Sequence, residues 1–186
     1  MDTVKSTSAD ASLTAMILDA CEEFESVESA NLEPLMERIG DARVVLLGEA
    51  SHGSSEFYRM RERITRELVR KKGFAFIGIE GDWPDAARID HYVRHFEYPP
   101  SEWTAFARFP TWMWRNNEVR QFVDWLRDWN SHQDTRQRVV FHGLDLYSLY
   151  NSIRSILDYL DAADPDTALP ARVRQVLAVV RAVPRF

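Results

Sequence analysis

The stretch "LLGEASHGSSEFYRMR", residues 46–61, sets a carboxylate, Glu49, three positions before an imidazole, His52, where an apolar run stops at Gly48. An unperturbed histidine titrates near pH 6.5, so His52 could take a proton from water at neutral pH. Glu49, or Glu80 in "FIGIEGDWP", could fix the tautomer of the ring and stabilise the imidazolium once it forms. Gly48 and Gly53 leave the backbone free to turn tightly around the pair. Arg61 falls four residues after Phe57 and three before Ile64, beside the inward stripe of a helix. A guanidinium there could hold a carboxylate or meet developing oxyanion charge. The plainer reading of these residues is a turn in which a histidine cap and an Arg–Glu pair only secure strand ends.

Positioning such groups needs rigid elements. Three short apolar runs read as buried strands: "ARVVLL" (42–47), "FAFIGI" (74–79) and "RVVFHG" (138–143). Between them lie helix-period segments. Leu13, Met16, Ile17, Ala20 and Phe24 mark a first helix, and Leu32, Leu35, Met36 and Ile39 a second. Phe57, Met60, Ile64 and Leu68 mark the third, capped by Ser54 or Ser55 and stopped by Gly73. Pro84 suits the first turn of a fourth, and Asn116 caps a fifth. Ile153, Ile156, Leu157 and Leu160 mark a sixth; "DAADPDTALP" reads as a polar linker to a last helix near 171–181. The aromatic, proline-punctuated stretch 97–115 reads as a connection with a short helical piece.

This alternation predicts an α/β fold: a small, mainly parallel sheet with many surrounding helices, incomplete in this chain because three strands are few. Residues 1–10 read as a flexible N-terminus and 11–186 as one domain. In a parallel sheet Glu49 and His52, then Glu80, then Gly143 and Asp145 all leave from the carboxyl edge, where open α/β folds place their crevices. Ser51, Trp83, His142 and Asp145 are the residues expected on the substrate side of that crevice.

Other chemistry is less well supported. His91 and His95 have the spacing of two metal ligands on one helix face, but the glutamate of a zinc-protease helix is missing, and surface histidines are the expectation. "GEASHGSSE" lacks the Gly-Lys-Ser/Thr of a phosphate loop, and no Gly-x-Ser-x-Gly elbow is present. Trp103, Phe106, Phe109, Trp112 and Trp114 suit either an apolar cavity wall or the core. The single cysteine, Cys21, cannot form an internal disulfide and is expected to be buried as a small hydrophobe. A net charge of −6 and the absence of a basic stripe argue against nucleic-acid binding. "RMRERITRELVRKK" alternates arginine with glutamate, as a solvated helix face does. No run has the length of a membrane span and "MDTVKSTSADAS" lacks the pattern of a signal peptide, so the expected location is the cytoplasm.

The stretch from "LLGEASHG" through "GIEGDW" resembles the erythromycin esterase family, whose members carry a Gly-Glu-x-Thr-His-Gly turn after the first strand. Ser51 stands at the threonine position and keeps the hydroxyl. The likeness extends from about residue 30 to the end, through "WMWRNNEV" and "GLD". It implies metal-independent hydrolysis without a cofactor, of a macrolide lactone in the resistance enzymes of the family, by a histidine base that activates water. That role falls on His52, with Glu49, Arg61 and Glu80 as polar companions. It also implies that this chain is the N-terminal part of the family domain, since family members draw a second important histidine from a C-terminal half. The expected partners are therefore a small-molecule substrate and further C-terminal sequence or a fused domain, with self-association open to the unfinished face. Many family relatives act on other substrates, so the likeness guides site geometry better than substrate. The alternative is a non-catalytic ligand-binding or structural fragment of a larger protein.

Overall fold

The computed structural model describes residues 8–96, 105–106, 111–145 and 149–182. The chain forms two compact units, 1–47 and 48–186. The first holds α1 (Ser8–Ala20) and α2 (Glu33–Ile39). Gly40, at φ 53°, ends α2 in a conformation that favours glycine. Val27, Ala30 and Met36 are buried, while Leu13, Met16 and Ile17 of α1 are exposed despite their helical spacing. Cys21 is exposed too, which corrects its expected burial.

The run 42–47 forms no strand, and Leu46 is 90% exposed. Branched residues favour a pleated, half-buried surface, but strand structure requires a hydrogen-bonded neighbour. The sheet of the described residues pairs only β1 (Phe76–Asp82) with β2 (Val140–Asp145). Those two are parallel, as predicted, in the register Phe76↔Val140 through Ile79↔Gly143. Both extend a few residues past their expected ends. They are also buried on one face only: Phe76, Glu80, His142 and Leu144 are exposed, while Phe141 is 1% exposed.

The second unit is otherwise helical. It comprises α3 (Ser55–Lys72), α4 (Trp83–Asp90), a π-helical turn (His91–His95), a 3₁₀ turn (Thr111–Met113), α5 (Asn117–Ser131), α6 (Leu149–Ala163) and α7 (Pro165–Ala182). Ser54 stands at the cap of α3 without capping it through its side chain, and Gly73 ends the helix in the left-handed region. Asn116 caps α5 by accepting from the Val119 N–H at 2.9 Å. The expected linker before the last helix is almost absent. Asp164 accepts from the Thr167 N–H at 3.2 Å and Pro165 takes the first helical position, so α7 starts at once. Of the aromatic connection, 97–104 and 107–110, with Trp103 and Phe109, lie outside the described residues.

The core of this unit gathers Ala86, Ile89, Val93, Val123, Leu126, Val139 and Phe141. Two buried polar side chains secure β2 within it. Asn130 accepts from the Val139 N–H at 2.8 Å and donates to the carbonyls of Val139 (2.9 Å) and Val93 (3.1 Å). Asp90 accepts from the Phe141 N–H at 3.0 Å and from Arg94 Nε at 2.9 Å. Since the Val140 N–H bonds to the carbonyl of Ala75, just before β1, the groups of Val139 and Phe141 face the opposite edge of β2. The two side chains thus stand where a neighbouring strand would.

Replacing Asn130 by alanine strips partners from three buried backbone groups. At about 1–3 kcal/mol for each unsatisfied group, urea denaturation of Asn130→Ala should show a loss of at least about 3 kcal/mol. A loss below 1 kcal/mol would contradict the role of the amide. A second, pH-dependent effect arises where α3 meets α5. Ser55 Oγ donates to Glu118 Oε1 at 2.6 Å, and this bond is the largest cause holding the Glu118 carboxyl below its ordinary value of 4.5. A depressed folded-state pKa adds stability that is present above the unfolded pKa and lost as pH falls through the folded one. Ser55→Ala should therefore lower the urea midpoint at pH 7, and the difference from the parent should shrink as pH falls below 4.5.

Candidate active site

The loop before α3 brings three of the expected residues together. Gly53, at φ 84°, turns the chain between His52 and the helix, and the Trp112 ring lies so close that a Cβ at Gly53 would sit 3.1 Å from it. The turn places His52 Nδ1 2.5 Å from Glu49 Oε1. Glu49 Oε2 lies 2.8 Å from Arg61 Nη2, a charge contact without an aligned hydrogen bond. The Glu49 side chain is 13% exposed and that of His52 48%, so a sheltered carboxylate joins an inner guanidinium to an outer imidazole. A carboxylate accepts, so in a neutral ring the tautomer with the proton on Nδ1 suits this contact, and Nε2 carries the lone pair.

Aromatic side chains support this trio. The Arg61 guanidinium lies 4.9 Å from the Tyr58 ring centroid and 6.0 Å from that of Trp114. Tyr58 donates to the Met113 carbonyl at 2.5 Å. Burial is the main cause that pushes its phenol above the ordinary value of 10.0, so it stays protonated and remains a donor. Trp114 Nε1 donates to the Glu80 carbonyl at 2.8 Å. A chain of contacts therefore runs from His52 through Glu49, Arg61 and Trp114 to the end of β1.

Glu80 itself stands in an irregular stretch of the sheet. From Ile79 to Asp82 β1 takes three steps, while β2 takes two from Gly143 to Asp145, so one residue bulges out. The bulge presses on Gly143, where a Cβ would meet the Gly81 carbonyl oxygen and come within 2.7 Å of Asp82 C. The Glu80 side chain is exposed, and among the described residues no ion pair or hydrogen bond ties its carboxylate to His52 or Arg61. Asp145 lies opposite Asp82 at the strand ends. His142 stacks on Phe76 with ring centroids 5.3 Å apart, on the exposed sheet face. Ser51 shares a 3.0 Å hydrogen bond with Ser54, and Trp83 opens α4. His91 and His95 bring their rings to 5.0 Å, but among the described residues no group of three or more His, Cys, Asp or Glu could hold a metal ion. No helix there is long and apolar enough to cross a membrane.

Two contributions were not anticipated from sequence: the support of Arg61 by Tyr58 and the contact of Trp114 with β1. Tyr58 lies three residues before Arg61 on one helix, a spacing that was legible. The contact of Trp114 with β1 was not, because it depends on the return of the chain across the sheet.

The fold is α/β, with a small parallel sheet among helices and a histidine–carboxylate–guanidinium cluster beside it. Residues 69–182 match the family described as erythromycin esterase, and the chain belongs to that family. The match takes in Glu80, Trp83, His142 and Asp145, while Glu49, Ser51 and His52 of the loop and Arg61 of α3 lie before its first residue. Erythromycin esterase type II of Escherichia coli is 28% identical over 116 residues, 62% of this chain and 26% of that protein. YbfO of Bacillus subtilis (strain 168) is 23% identical over 127 residues, covering 68% and 27% of the two chains. A crystal structure of a succinoglycan biosynthesis protein superposes with a TM-score of 0.70 at 26% identity, over 89% of this chain and 42% of the other. A Bacillus cereus protein of known structure gives 0.64 at 29% identity, over 90% and 40%. The matched region spans about a quarter of the curated relatives and about two-fifths of the solved ones.

The sheltered Glu49–Arg61 pair can be tested without activity. Arg61→Met leaves the carboxylate without its guanidinium and should cost roughly 1–3 kcal/mol in urea denaturation, between the values for exposed and fully buried pairs. The double variant Glu49→Gln/Arg61→Met should recover part of that loss. Additive losses would mean that the two side chains do not interact.

Proposed function

We propose that the complete protein hydrolyses an ester, lactone or related acyl bond, with His52 as the general base. The observation that carries this reading is the 2.5 Å approach of His52 Nδ1 to Glu49, which leaves Nε2 free to act. In the proposed step Nε2 takes a proton from water as the water oxygen bonds to the acyl carbon. Glu49 stabilises the resulting imidazolium, and Arg61 holds Glu49 in position. The tetrahedral intermediate then collapses with cleavage of the C–O bond, and the imidazolium returns its proton to the departing alkoxide. Glu80, exposed at the bulge, is proposed as a further polar companion of His52. Ser51, Trp83, His142 and Asp145 are proposed substrate-side residues. No metal is assigned a step, and membership of an esterase family supports the hydrolytic class.

A second reading, a non-catalytic ligand-binding or structural piece, draws on the short span of the match along its relatives. Steady-state kinetics of the complete protein on activated esters, simple lactones and erythromycin separates the two. Erythromycin belongs in the panel because the Escherichia coli relative is named for it. His52→Ala should lower kcat by about 10²–10⁴-fold, with a much smaller change in substrate affinity. Hydrolysis in ¹⁸O-water should label the acid product, and no covalent acyl mass should appear on the protein. Undiminished turnover in His52→Ala, or an acyl adduct on Ser51, would refute the mechanism. No turnover on any substrate would favour the binding reading.

A further inference from the structure

We infer that Trp112 is the recognition platform of this site, stacking on a flat apolar group attached to the carbonyl that His52 serves; the inference rests on the general-base reading above. Trp112 is 47% exposed, whereas Phe141 is 1% exposed and Tyr58 7%. Its ring centroid lies 6.5 Å from that of His52, with the planes at 54°. A planar group laid on the indole would therefore lie beside the imidazole, with a carbonyl at its rim near His52.

The side chain is exposed, but its backbone is anchored. The Trp112 carbonyl accepts from Asn116 Nδ2 at 3.0 Å, while the same amide caps α5 through Oδ1. The neighbouring Met113 carbonyl is held by Tyr58, and the ring itself packs on Gly53. A flat side chain held this way loses little conformational freedom when it binds, which is the advantage of aromatic anchors at binding surfaces. Charge selects the same class of ligand. Arg61, the cation seen in this cluster among the described residues, is already matched by Glu49, which favours a neutral, apolar acyl or alcohol group over an anionic one. The indole N–H makes no hydrogen bond among the described residues and is available to a ligand oxygen.

The test uses the complete protein and a carbonyl compound that cannot be hydrolysed, 2-acetylnaphthalene. Calorimetry and chemical-shift changes at the His52 ring would measure its binding. The parent protein should bind it, while Trp112→Ala and Trp112→Leu should bind at least about tenfold more weakly. Trp112→Phe, which keeps a flat face, should restore most of the affinity. Kinetics gives a second readout: for 2-naphthyl acetate Trp112→Leu should raise KM about tenfold with kcat little changed, and for ethyl acetate KM should hardly move. Absence of binding by the parent, equal binding by Trp112→Leu, or a loss falling equally on both esters would overturn the inference. Trp112-dependent binding of the ketone by a protein that hydrolyses neither ester nor any other substrate of the panel would uphold the platform and favour the binding reading over the hydrolase one.

Discussion

The architecture of residues 48–186 depends on how the outer edge of β2 is satisfied. A two-stranded parallel sheet leaves half of its backbone groups facing away from the partner strand, and buried groups without partners are costly. Here the amide of Asn130 and the carboxylate of Asp90 take them. One side chain comes from α5 and the other from α4, so the bonds that close the edge also fix both helices against the strand. Arg94 reinforces the arrangement from the π-helical turn by bonding to Asp90, and Arg138 Nη1 donates to the Arg94 carbonyl at 2.6 Å. An edge closed by side chains is no longer a template for another strand.

The position of β2 in turn shapes the end of β1. The extra residue of the bulge brings the Gly81 carbonyl against Gly143, a close approach that only glycine permits. The bulge presents the Glu80 carbonyl to the indole of Trp114, and the Trp114 ring stands beside Arg61. The guanidinium orients Glu49, and Glu49 orients His52. A geometric irregularity in the sheet is thereby connected to the tautomer of one imidazole by packed and hydrogen-bonded groups. Sheltering Glu49 while leaving His52 half exposed divides the work: the carboxylate is fixed and the ring remains open to water.

Much of this was legible in sequence because it is local. Helix period, the Gly73 stop, the Asn116 cap and Pro84 in a first turn depend on residues within one or two turns of each other. The Glu49–His52 pair lies three residues apart across a turn that carries a glycine, and Arg61 lies on the next helix, so their meeting was also readable. Asp164 and Pro165 carried a helix start that the polar composition of "DAADPDTALP" concealed.

What the sequence alone determined is the inventory of helices, the parallel α/β class and the histidine–carboxylate–arginine neighbourhood, since near-neighbour sterics and hydrogen bonding decide these. Whether an apolar run becomes a strand depends on a partner far along the chain. "ARVVLL" and "FAFIGI" are alike in composition, yet only residues of the second pair in the described sheet. The bulge that carries Glu80, the exposure of Trp112 beside His52 and the closing of β2 by Asn130 and Asp90 were likewise decided by tertiary structure. Each depends on which distant surfaces pack against a given backbone group, and no local pattern of residues encodes that choice.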